Sequence, residues 1–184
     1  MKFSKKVLPM VLAMAMVPAM SMTAFASNAS TPTTASTTVD ISKHTFYAYQ
    51  IFTGTLVEGT NTLSDVKWGD GVNSTDLLKA LKVPKTFSDG VDFSKCSTPA
   101  DVADIVGKWS DNSNNAKTFA KLVAANLTDV KTVGTESGKA TLPKAGYYLI
   151  VDATAVSSKD DASNLSLLEV SKAETVTVRN KTSK

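Results

Sequence analysis

HTFYAYQIFTGTL, His44 to Leu56, is the stretch on which the reading of the fold turns. Aromatic and β-branched residues crowd it. Phe46, Ala48, Gln50 and Phe52 share one parity, and Tyr47, Tyr49, Ile51 and Thr53 share the other. A half-exposed strand alternates apolar with polar, whereas here both faces carry apolar groups, so the pattern predicts a central strand covered on each side. Gly54 and Gly59 then punctuate a loop or hairpin.

Downstream, LSDVKWGDGVN (Leu63 to Asn73) sets Val66 and Trp68 on one side of a short strand and ends it at the turn dipeptide Asp70-Gly71. The spaced acidic ligands of a calcium loop are missing there, which leaves a plain turn. STDLLKALK (Ser74 to Lys82) opens on a Ser/Thr cap candidate, carries Leu77, Leu78 and Leu81 at helical spacing and is stopped by Pro84. Thr98, Pro99 and Asp101 form a second helix start, followed by Val102, Ile105, Val106 and Trp109 on one stripe. Ala116, Phe119, Leu122, Val123 and Leu127 trace a third. Two such neighbouring stripes read as core rather than as free-standing binding helices.

From Thr132 the period returns to that of strands, with Tyr147 to Val151 apolar on both faces, then LSLLEV (Leu165 to Val170) and the final ETVTVRN. The sum is a mainly β fold, a β-sandwich with two or three α-helices inserted between early and late strands.

The chain has 184 residues, enough for one ordinary domain. Its first 26 read as a secretory signal peptide: Lys2, Lys5 and Lys6, an apolar run broken by Pro9 and Pro18, and a small-residue cleavage site at Ala24 to Ala26. Residues 27–38, rich in Ser and Thr, read as a flexible leader, 39–180 as the domain and 181–184 as a tail. Cleavage removes three of the 20 basic residues and none of the 17 acidic ones, leaving formal charge balanced. That balance argues against nucleic acid and, after cleavage, against a membrane as partner. Cys96 is the only cysteine, which excludes an internal disulfide.

Catalytic chemistry finds little to stand on. His44 is the only histidine, so a triad or zinc site lacks its second group, and the residue reads as structural. Cys96 has one lysine beside it and no histidine nearby in sequence; it reads as a buried or incidental thiol. DGVNST lacks the lysine of a phosphate loop. Asn-x-Ser/Thr triplets at Asn28, Asn73, Asn126, Asn164 and Asn180 carry no weight in so Ser/Thr-rich a chain. No cofactor, metal or enzymatic activity is expected.

Taken in order, YAYQIFTGTL, LSDVKWGDGVN with LLKALK, ADVADIVGKW, AKTFAKLVAANL and AGYYLIVD resemble the N-terminal domain of sortase-assembled pilus backbone subunits of Gram-positive bacteria. The likeness spans about Val39 to Asn180. It implies an immunoglobulin-like sandwich stacked head to tail in a cell-wall-associated pilus, with identical or related pilin subunits and a class C-type sortase as partners. In that family a motif Val-x-Val-Tyr-Pro-Lys-Asn on the last strand carries the lysine that sortase joins to the next subunit. Val176, Val178 and Lys181 match it, while Arg179, Asn180 and Thr182 stand where the motif has Tyr, Pro and Asn. Lys181 is thus the candidate for linkage. The resemblance also implies an internal Lys–Asn isopeptide bond promoted by a buried acid, for which Lys43, Asn180 and Glu169 are candidates.

A complete backbone subunit carries a sorting signal and further domains, so the chain is expected to be either the N-terminal part of a longer product or a truncated, exported relative. Two other readings compete: a secreted adhesin-like module holding a host or polysaccharide ligand through its loops, and a thiol-dependent enzyme at Cys96.

Overall fold

The computed structural model describes residues 37–41, 44–57, 63–110, 113–134, 138–153, 165–171 and 174–177. The leader other than 37–38, the signal segment, Lys43, Asn180 and Lys181 lie outside them. The elements run β1 (Thr37–Asp40), β2 (Phe46–Leu56), β3 (Leu63–Trp68), α1 (Ser74–Leu81), α2 (Pro99–Val106), α3 (Asn114–Ala124), β4 (Thr132–Val133), β5 (Lys139–Leu142), β6 (Gly146–Asp152), β7 (Leu165–Val170) and β8 (Glu174–Thr177). The fold is mainly β, with its three helices between β3 and β4.

One sheet has five strands in the order β3-β2-β6-β7, with β4 also on β2; the other has three, β5-β1-β8. Among the described strands all pairings are antiparallel except one: β1 and β8, the first and last of them, run parallel with Thr37 beside Glu174 and Asp40 beside Thr177. β1 begins at Thr37, so the last two residues assigned to the leader belong to a strand.

The larger sheet is a middle layer. Phe46, Ala48, Tyr148, Ile150, Leu168 and Val170 face the small sheet and join Val39, Ile41, Ala140, Leu142 and Val176 in one core. The opposite face, with Ile51, Phe52, Tyr147 and Leu149, packs on Leu77, Val102, Val106, Phe119 and Val123 of the helices. β2 therefore is a central strand with cover on each side, as its doubly apolar sequence requires. Strict alternation fails at one place: the register slips between Gln50 and Phe52, and Ile51 and Phe52 both enter the helical core. Such a bulge turns successive side chains to one face. Each Phe, Leu or Ile so buried contributes about 1.5–3 kcal/mol relative to exposure.

The helix starts follow local chemistry. Thr98 and Asp101 form a reciprocal capping box with Pro99 inside it. α1 is capped by Asn73, whose side chain accepts from the Asp76 backbone, one residue before the expected Ser/Thr. α2 ends at Val106; Trp109 lies beyond it, half-buried against Phe87, Phe93 and Phe119. Trp68 is also half-buried, 5.1 Å from Phe52.

Candidate functional site

A buried polar pair sits at one end of the inter-sheet core. Asp152 closes β6 and is the cross-strand partner of Phe46, so its carboxylate takes the face of Tyr148 and Ile150, toward the small sheet. His44 stands in the link from β1 to β2, and its Nδ1 lies 2.7 Å from Asp152 Oδ2. The backbone holds both: His44 N–H donates to Ile41 O at 3.0 Å, and Ala153 N–H donates to Thr45 O at 2.9 Å. The Asp152 side chain is only 2% exposed and that of His44 25%. Ser166 is buried on the same face of β7, opposite Ile150.

Glu169, the candidate acid of the sequence, lies on the other face of β7, while its candidate partners Lys43 and Asn180 are outside the described residues. Glu169 pairs with Tyr147, on the helix-facing side, with Leu165 and Leu167. Its Oε1 is shielded from solvent. Yet the body of β7 stands between it and the core where Val39, Ile41 and Val176 meet. Among the described residues Asp152 is the buried carboxylate on the β1–β8 side.

Other sequence candidates resolve as follows. Cys96 is buried, and burial, reinforced by the Asp101 charge, pushes its thiol above the ordinary value. A thiol so placed is a poor nucleophile. Asp70-Gly71 is a turn whose Gly71 N–H donates to Gln50 O at 3.0 Å. Among the described residues no three His, Cys, Asp or Glu side chains gather in a metal-binding group, and no helix is long and apolar enough to cross a membrane.

At the opposite end of the core, buried Tyr148 donates its hydroxyl to Lys144 O at 3.1 Å, and burial pushes its pKa up to about 12. Gln50 Nε2 donates to Ala145 O at 3.2 Å, so two side chains tie down the β5–β6 turn. No family model matches the chain, and no curated protein matches it.

Proposed function

We propose that the chain is a structural subunit, or the N-terminal part of one, of a cell-surface fibre, held by covalent bonds through lysine. The fold it brings to that role is an immunoglobulin-like sandwich with helices added on one side. The supporting observation is the parallel pairing of the first and last strands. In sequence, Lys43 and Asn180 each stand three positions beyond the Asp40–Thr177 pair. That equal spacing is what pairs them as the two partners of the proposed bond. The bond needs the lysine in its neutral form, which burial favours. Its Nζ attacks Asn180 Cγ; the new C–N bond forms, the Cγ–Nδ2 bond breaks and ammonia leaves. Asp152, buried on the side of the small sheet, is the acid we assign to carry the proton from amine to leaving group.

Lys181 follows one residue later and is the linkage candidate between subunits. A sortase holds the neighbour's sorting signal as an acyl thioester; the Lys181 amine attacks it, forming C–N as C–S breaks. The test is mass spectrometry at two levels. The purified chain should be lighter by one ammonia, with a Lys43–Asn180 branched peptide that Asp152→Ala abolishes. Boiled, SDS-resistant wall material from the native host should yield a branch at Lys181. A chain of unmodified mass and an unbranched Lys181 would overturn both.

A secreted adhesin-like module is the second reading. It is favoured by half-exposed Tyr47, with Lys131 Nζ 4.8 Å from its ring centroid and exposed Val130 and Val133 nearby in sequence. Glycan or host-matrix binding lost in Tyr47→Ala would support it.

A further inference from the structure

We infer that two copies of the chain pair face to face, about a two-fold axis, through an apolar row at the rim of the larger sheet. Cross-strand partners share a face of their sheet. The registers therefore set Val133 of β4, Tyr47 of β2, Val151 of β6 and Leu165 of β7 side by side on the face that carries the helices. The row crosses four strands, roughly 14 Å at the ordinary strand spacing. Cover falls away along it. One row inward, Tyr49 and Leu149 are buried, whereas Tyr47, Val151 and Leu165 are half-buried and Val133 is 51% exposed. Val130, just before β4, is 57% exposed. Among the described residues the other large apolar side chains so open, Val57 and Val83, stand elsewhere, after β2 and after α1. Neighbouring apolar side chains left open in this way mark an interaction face.

The charges beside the row select the occupant. Lys131 Nζ lies 4.8 Å from the Tyr47 ring centroid, so the cation is held against the row. Asp129, exposed two residues upstream, brings the opposite charge. A uniformly acidic or basic partner would meet a like charge at one of the two. An axis at Val130, midway between them in sequence, instead sets Asp129 of one copy beside Lys131 of the other, twice over, and brings the apolar rows together. So short a row makes a small interface, at the weak end of the range. Pairing is expected where copies are crowded, as between neighbouring fibres under the function proposed above. It needs no lysine bond, so it is tested apart from that reading.

The experiment is sedimentation equilibrium on residues 27–184, purified without sortase, at concentrations rising into the millimolar range. The mass should approach that of two copies. Asp129→Lys and Lys131→Asp, each alone, set like charges together across the axis and should weaken pairing about tenfold or more. An equimolar mixture of the two variants should regain it, because every pair between unlike copies is then of opposite sign. Both positions are exposed, so the variants are expected to fold. A single-copy mass throughout, undiminished pairing in either variant, or no recovery in the mixture would overturn the inference. A single-copy mass with glycan binding that Tyr47→Ala abolishes would overturn it in favour of the adhesin-like reading.

Discussion

His44 and Asp152, 108 residues apart in the chain, meet through a 2.7 Å contact at the rim of the inter-sheet core. The carboxylate is almost wholly desolvated, so its polar contacts matter more than the half-exposed imidazole alone would suggest. His44→Ala should destabilise the domain by about 1–3 kcal/mol, the cost of removing a partner from a buried polar group. Urea unfolding measures this directly. An unchanged midpoint and slope would show that the pair contributes nothing to stability.

Gly71 lies against the backbone of β2. An added Cβ would meet Gln50 N at 2.5 Å and Gln50 O at 2.8 Å, and neither can retreat without disturbing the strand. Gly71→Ala should therefore cost about 1–3 kcal/mol, as other overpacked sites do. Thermal melting beside the exposed substitution Asp70→Ala would isolate the effect; equal melting temperatures would contradict it.

Asp101 accepts from the backbone N–H groups of Ser97 and Thr98, each at 2.8 Å. These bonds hold its carboxyl below the ordinary value of 3.8. A carboxyl depressed on folding adds stability that is present above the unfolded value and is lost as pH falls through the folded one. Asp101→Asn should accordingly flatten the acid limb of stability against pH, from just above 3.8 downward. Thr98→Ala, which removes the cap itself, should cost about 0.5–2 kcal/mol at neutral pH. An acid limb of the same slope in Asp101→Asn would show that the carboxyl is not linked to folding.

Cys96 should resist thiol reagents in the folded protein and react at the rate at which the structure opens. Labelling at increasing urea, followed by mass, tests this. Rapid modification in the absence of denaturant would place the thiol at the surface and revive the thiol-dependent reading.

Much of the fold was legible because its signals are local. The apolar groups on both parities of β2 announced its cover on each face, and Thr98, Pro99 and Asp101 announced α2. Asn73 lost the cap to Ser74 on paper because both residue types suit the position and they are adjacent. The site was harder to read. The parity that groups Glu169 with Leu165 and Leu167 is written in the sequence, but which face of β7 meets β1 depends on how the sheets stack. Asp152 has no signal in sequence beyond following the apolar run to Val151; the contact with His44 and the stacking of the small sheet give it significance. The parallel register of β1 and β8 has no local signature at all.

That register also sets an order in time. β1 emerges early, at Thr37, yet one of its two neighbours is β8, the last of the described strands, which ends at Thr177. Until that segment is delivered, β1 can pair only with β5, and the small sheet keeps an open edge. Pairing so distant in sequence is slow to form. A chain halted before Val176 would therefore have its helices and larger sheet available to fold while the side of β1 meant for β8 stayed open to strands of other chains, making incomplete synthesis the moment of greatest risk for aggregation.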